Sequence, residues 1–407
     1  MKRNFQSITS ILGLAILLNA CQESSTQQAD KKSDNIFADV VSTAVQQIGW
    51  QTEIIERSGK FMNPRTVENG HVAYVDAEDW TSGFFPATMW YMYDLTNDKK
   101  WETLGIKYTE AIEEVKYLKW HHDVGFMINC SFGNAYRVTG NEAYKDVIIE
   151  AAKSLSTRFR PTPGVIQSWD EDRGWQGTRG WNCPVIVDNM MNLELMFDAT
   201  RFSGDSSFYK MAVSHADITL AHHFRPDFSS YHVVDYDKTT GEVRNKHTAQ
   251  GYAHESSWAR GQAWAIYGFA VCYRETKDER YLELCDNIYQ FLFSHENMPC
   301  DLVPYWDFNA PNIPHEPRDA SAAAIIASAL YEMSTFNGKT EYKATADKIM
   351  ASLASPAYLA IVGTNGNFLL MHSVGSIPHD NEIDVPLNYA DYYFLEALVR
   401  KSKIENR

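Results

Sequence analysis

Cysteine is scarce in this 407-residue chain, and its placement excludes two architectures. Apart from Cys21, five remain: Cys130, Cys183, Cys272, Cys285 and Cys300. An odd number at irregular spacing is not a disulfide framework. There is no Cys-x-x-Cys pair and no His-Glu-x-x-His, so no zinc pattern is present either. Positive charge is also short, with 37 Lys and Arg against 52 Asp and Glu and a net charge of −15. No stretch could neutralise a phosphate backbone, which argues against nucleic acid as a partner. A small local cluster of donors could still hold an anionic sugar. Alternating strand-like runs are rare. The apolar run Ile8–Leu18 is too short to span a bilayer. What the chain does have is apolar bulk, 44% hydrophobic and 13% aromatic residues, enough for one large core. Its 11 Trp and 22 Tyr would mostly fill that core, with a few left to stack on sugars.

The N-terminus reads as a targeting segment. Lys2 and Arg3 precede the apolar run, which ends at Leu18-Asn19-Ala20-Cys21. That ending resembles the bacterial lipobox, in which cleavage before the cysteine leaves it lipidated. The expected organisation is a lipoprotein signal peptide over 1–20, a polar tether over 21–35 and one domain over 36–407. Lipidation at Cys21 would place the protein in the cell envelope, on a membrane and facing the periplasm or the cell surface.

From Phe37 onward, apolar residues recur at helical spacing almost everywhere. The pattern predicts a dozen helices, near 37–57, 81–96, 99–118, 124–138, 142–158, 185–202, 206–223, 257–275, 279–295, 319–336, 340–354 and 388–402. One punctuation mark returns five times: Leu95–Asp98 before Trp101, Val138–Asn141 before Tyr144, Phe202–Asp205 before Phe208, Glu275–Asp278 before Tyr281, and Phe336–Lys339 before Tyr342. Each reads as a helix stop, a left-handed turn, a polar cap and an inward aromatic. A dozen helices in repeating pairs suit an all-α (α/α)6 barrel, a toroid of six hairpins. An open superhelix would give the same pattern. Four long segments, 159–184, 224–256, 296–318 and 356–387, lack helical periodicity and precede proposed inner helices, so they should gather at one mouth of the barrel.

Asp188 stands out chemically. It lies between Pro184-Val185-Ile186-Val187 and Met190-Met191, a carboxylate inside an apolar stretch. Burial of a carboxylate costs several kcal/mol unless it is paired or protonated, and it raises the pKa toward the range of a general acid. A capping bond to backbone amides is the plainer alternative. For Asp123, ahead of the apolar run Val124–Ile128, an N-cap is the plainer reading. Arg260 and Trp264 are four apart on one helical face, a guanidinium and an indole suited to an anionic sugar. A salt-bridged arginine beside a core tryptophan would look the same.

The runs Asp79-Trp80-Thr81-Ser82-Gly83-Phe84-Phe85-Pro86, His122-Asp123-Val124-Gly125-Phe126, Val187-Asp188-Asn189-Met190-Met191-Asn192-Leu193 and Trp258-Ala259-Arg260-Gly261-Gln262-Ala263-Trp264 resemble glycoside hydrolase family 88, the unsaturated glucuronyl hydrolases. Glu382–Pro386 and Asn388–Tyr393 are similar too. The resemblance implies an (α/α)6 barrel and two essential aspartates, matched by Asp123 and Asp188. It implies removal of a 4,5-unsaturated uronic acid from the non-reducing end of lyase-generated oligosaccharides, by hydration of an enol ether and without metal or organic cofactor. Asp188 would be the acid and base, and Asp123 would orient it or the substrate. His232, Gln250, Arg260 and Trp264 match substrate-site positions, Trp80 an aromatic wall, and Trp175 a stacking position for the following sugar. Ser373, Ser376 and His379 lie where glycosaminoglycan-specific relatives carry a Ser- and Lys-containing pattern, with no lysine nearby. That points to sulfated algal ulvan or another acidic polysaccharide. The alternatives are an unsaturated rhamnogalacturonyl hydrolase, a hydrolase of saturated glycosides, and a non-catalytic, lipid-anchored glycan-binding protein.

Overall fold

A computed structural model describes residues 37–406, so the expected signal peptide, the lipidation site and the whole tether lie outside the described residues. Helix α1 covers 37–58, followed by α2 (Phe84–Thr96) and α3 (Lys99–Glu110). Next come α4 (Val124–Ile128) and α5 (Asn134–Thr139), joined through a π-helical turn over Asn129–Gly133 into one interrupted helix. Then follow α6 (Ala143–Ser156), α7 (Leu193–Ser203), α8 (Ser206–His222), α9 (Ala259–Thr276), α10 (Glu279–Ser294), α11 (Ala320–Met333), α12 (Thr340–Leu353) and α13 (Asn388–Glu405).

Burial sorts these helices into two rings. α2, α4–α5, α9, α11 and α13 carry most of their residues in the core, as does α7 taken with the buried Val187–Asn192 before it, whereas α1, α3, α6, α8, α10 and α12 bury one face only. Around the inner ring each helix packs on the next, and α13 packs on both α11 and α2. That last contact closes the circle, so the fold is the (α/α)6 barrel and not an open superhelix.

The repeated punctuation is the local cause of the pairing. Asn97, Gly140, Gly204, Lys277 and Gly338 all take positive φ, between 54° and 75°. Asp98, Asp205 and Asp278 accept from the amides of Lys100, Ser207 and Arg280 at the next helix starts. The aromatics that follow, Trp101, Tyr144, Phe208, Tyr281 and Tyr342, are all buried. These five turns lead from an inner helix to an outer one. The return connections run from outer to inner and are the long ones.

Strands populate those long connections, where the sequence showed no alternation. β1 (Asn63–Glu68) and β2 (His71–Val75) form a hairpin in the connection before α2. β3 (Phe159–Arg160) pairs with β4 (Val165–Ile166), and β5 (Cys183–Ile186), β6 (Val233–Tyr236) and β7 (Val243–His247) make an antiparallel sheet. β8 (Ser373–Ser376) pairs with β9 (Asn381–Val385). The helix expected over 185–202 is therefore corrected. Residues up to Ile186 pair as β5 with β6, Val187–Asn192 wind as a 3₁₀ segment, and α7 begins only at Leu193. Likewise the α-helix expected over 99–118 ends at Glu110 and is followed by a 3₁₀ turn over Glu113–Tyr117.

At the end of the barrel away from these sheets, Glu396, Arg400, Glu332 and Arg274 form a buried ion-pair chain. Arg400 sits 2.9 Å from Glu332 and Arg274 2.8 Å from the same carboxylate. Tyr91, Tyr267 and Ser328 donate to Glu396. Each charge in this chain has a partner, as burial requires.

Candidate active site

The sheet-bearing end opens into a cavity of about 550 Å³, a size typical of small-molecule sites. Its walls come from the β1–β2 connection (Arg65, Trp80), the segment before α4 (Trp120 to Asp123), the 159–184 segment (Ser168, Trp169, Asp170, Arg173), Asp188, Gln250, Arg260 and the β8–β9 hairpin. Three of the four long segments thus reach the mouth as expected, and the fourth does not line it. Residues 296–318 brace the mouth from behind: Asp307 accepts from the Tyr252 amide at 2.9 Å and from Ser256 Oγ at 2.6 Å.

Asp188 and Asp123 both line this cavity. Asp188 is held in the 3₁₀ segment between β5 and α7, and its Oδ2 is buried with no hydrogen-bond partner. Burial pushes its carboxyl up to about 7, against the opposing pull of the Arg260 charge and of a backbone amide. His232 lies alongside, with Nε2 3.6 Å from Asp188 Oδ2, longer than a hydrogen bond. His232 Nδ1 accepts from the amides of Ala249 and Gln250, both at 3.1 Å. Burial holds the ring neutral, so its one proton sits on Nε2, toward Asp188.

Asp123 occupies the position before α4 but makes no capping bond, which removes the plain N-cap reading. Its Oδ1 accepts from Asn192 Nδ2 at 3.2 Å, and Oδ2 lies 3.2 Å from His122 Nε2. Burial, and then the neighbouring Asp188 charge, push its carboxyl up to about 8. Asn192 joins the two motifs, because its Oδ1 also accepts from the Phe126 amide at 3.1 Å. Gly125 is what allows this approach: a Cβ there would meet Asn192 Oδ1 at 2.5 Å and Asn192 Cα at 2.6 Å. His121, His122 and Asp123 bring potential metal-ligating atoms within 4.8 Å of one another. Two of the three groups already have protein partners, since His121 Nδ1 accepts from the Asp123 amide and Asp123 from Asn192.

The remaining expected residues divide by position. Trp80 lines the cavity and packs edge-on against Phe126, with ring centroids 5.5 Å apart. Gln250 lines it and donates to the Gly375 carbonyl at 3.2 Å. Arg260 is 1% exposed; it pairs with Asp319 at 3.1 Å and donates to the carbonyls of Val374 and Gly375, which ties α9 and α11 to β8. Trp264 needs correction. It does not reach the cavity but lies beneath it, 1% exposed, between Phe126 and Tyr393 at 5.1 and 5.5 Å. Trp175 lies outside the main cavity, on an adjoining groove, with Trp169 at 5.1 Å.

Sequence reasoning missed Arg65, Glu382 and Trp169. Arg65 makes a two-pronged bond to Glu382 at 2.6 and 3.0 Å and a third to Asp79 at 2.7 Å, clamping β1 to β9 across the mouth. A signal for its hairpin was present: Asn69-Gly70, both at positive φ, is the strongest short-range hairpin cue.

The Glycosyl Hydrolase Family 88 profile matches residues 54–402. The chain belongs to glycoside hydrolase family 88. An unsaturated glucuronyl hydrolase of Formosa agariphila is 44% identical over 405 residues, 99% of each chain. An unsaturated chondroitin disaccharide hydrolase of Streptococcus agalactiae is 32% identical, covering 84% of this chain and 85% of its own. Among solved structures, an unsaturated glucuronyl hydrolase specific for heparin superposes with a TM-score of 0.86 at 43% identity, covering 92% of this chain and 99% of that one. As a family 88 member the chain is a glycosidase acting on unsaturated uronic acid oligosaccharides in polysaccharide degradation. That excludes the non-catalytic binding protein. In this family 88 site, replacing Asn192 with Ala leaves Asp123 Oδ1 without its donor. Loss of one hydrogen bond to a carboxylate, about 1.5–3 kcal/mol, should lower kcat about 10- to 100-fold. Steady-state kinetics check this, and an unchanged kcat would show that Asn192 does not position Asp123.

Proposed function

We propose that Asp188 protonates C4 of the 4,5-unsaturated uronic acid at the non-reducing end of the oligosaccharide. Positive charge develops at C5 and the ring oxygen, water adds at C5, and the Asp188 carboxylate takes the proton that water loses. The hemiketal so formed opens to a keto acid and releases the next sugar. The carrying observation is the buried Oδ2 of Asp188, bare of protein partners, on the wall of a sugar-sized cavity. A carboxyl pushed up to about 7 keeps its proton near neutral pH and can still give it away. Asp123 is the positioning partner, with Gln250, Arg260 and Trp80 around the sugar and His232 buried beside Asp188; the 1% exposure of Arg260 makes its contribution one of charge.

The same proposal extends to the setting. A polysaccharide lyase supplies the double bond, so the enzyme works downstream of one, on ulvan or another acidic polysaccharide. The lipobox-like Leu18–Cys21 supports a lipid anchor and a cell-envelope location. The absence of lysine between Ser373 and His379 supports a preference away from chondroitin.

Loss of the ultraviolet absorbance of the conjugated double bond reads the reaction directly. Wild type should consume it on lyase-treated ulvan, heparin or chondroitin, and Asp188→Asn should be about 10²- to 10⁴-fold slower. A strong preference for chondroitin would sink the ulvan assignment. The acid form of Asp188 is present below its raised pKa, so kcat should fall as pH rises through about 7, with an apparent value belonging to the carboxyl pair. A descent near pH 4, the ordinary carboxyl range, would remove Asp188 from the acid role. For the anchor, Cys21→Ser should abolish labelling by radioactive palmitate and shift the protein from the membrane to the soluble fraction. A wild type that takes up no label refutes it.

A further inference from the structure

A second groove adjoins the reaction cavity and shares Trp169, Gln250, Ser376 and Asn381 with it. Its outer wall is Trp175, whose ring lies 5.0 Å from that of His379. Just beyond stands Arg179, its guanidinium carbon 5.5 Å from the rings of both Trp175 and Trp181. Among the described residues, Arg179 is the one arginine whose side chain has neither a hydrogen bond nor an ion pair. The two inner guanidiniums each hold three protein acceptors: Arg65 bonds Asp79 and both oxygens of Glu382, and Arg260 bonds Asp319 and two carbonyls. Even Arg173, on the same segment, has Asp170 and Asp172 at 3.8 Å. The groove's own lining holds no lysine or arginine and one charged group, Asp380, while burial together with the Arg179 charge beyond it lowers the pKa of His379. In a chain of net charge −15, a guanidinium left with five free donors and braced on two indoles is a local exception.

We propose that Arg179 is a specificity residue that binds a sulfate ester on the sugar following the unsaturated uronic acid. This rests on the proposed function, which puts the unsaturated sugar in the cavity beside Asp188, so that the sugar following it extends into the adjoining groove. A sulfate ester is charged at every working pH and offers the oxygens that a guanidinium fork binds in pairs.

The test uses disaccharides from one lyase that differ only in a sulfate on the second sugar. For Arg179→Gln, KM for the sulfated disaccharide should rise about tenfold, with kcat unchanged and KM for the unsulfated one within about twofold. Arg179→Lys should recover part of the loss. Equal changes on both substrates, or none on either, would overturn the proposal. Binding provides a second readout, by quenching of tryptophan fluorescence in the Asp188→Asn background. Equal affinity of the Arg179-containing protein for the two disaccharides also overturns it. Sulfate discrimination that persists while turnover fails on every lyase product would count against Asp188 chemistry and leave Arg179 recognition standing.

Discussion

A carboxylate removed from water without a partner costs several kcal/mol, and the barrel mouth is arranged around two of them. Asp123 and Asp188 face one cavity and are pushed up to about 8 and 7, mainly by burial. Their neighbours tune that cost without cancelling it. Asn192 gives Asp123 one hydrogen bond, Arg260 acts on Asp188 through charge alone, and His232 is locked in the tautomer that turns its proton toward Asp188. A closer cation at Asp188 would stabilise the anion, lower its pKa and leave it without a proton to donate near neutral pH. The distances keep the charge of Arg260 present and its donors occupied elsewhere.

The closed double ring makes this arrangement rigid. Asp123 and Asp188 ride at the starts of neighbouring inner helices, α4 and α7, whose separation is fixed by packing around the ring. Gly125 sets how closely they meet, Arg260 ties β8 to α9 and α11, and Arg65 ties β9 to β1. Short turns carry the pairing at one end, and the irregular segments carry the chemistry at the other.

The helical frame was legible because its signals are local. A left-handed turn residue and an inward aromatic within seven positions mark each inner-to-outer turn, and an Asp or Asn capping side chain joins them in four of the five. Asp188 was legible for the opposite reason, a carboxyl where the surrounding sequence is apolar. The bond from Asn192 to Asp123 spans 69 positions and depends on how two helices pack, which no local pattern carries. Trp264 was misplaced because helical spacing puts it on the face of Arg260 without saying how deep that face lies. β5 was hidden because Val185-Ile186 suits a strand and a buried helix equally, and only the partner strand β6 decides between them.

The direction of α1 has a geometric meaning for the whole molecule. Its last turn feeds the β1–β2 hairpin at the mouth, while Phe37, at its start, lies under Lys401 near the end of α13, with 5.0 Å between the charge and the ring. The described chain therefore enters the barrel at the pole opposite the cavity. Were the chain fixed to a surface upstream of residue 37, as the proposed anchor would do, the attachment would lie at the pole opposite the mouth and would leave the cavity clear of the point of attachment.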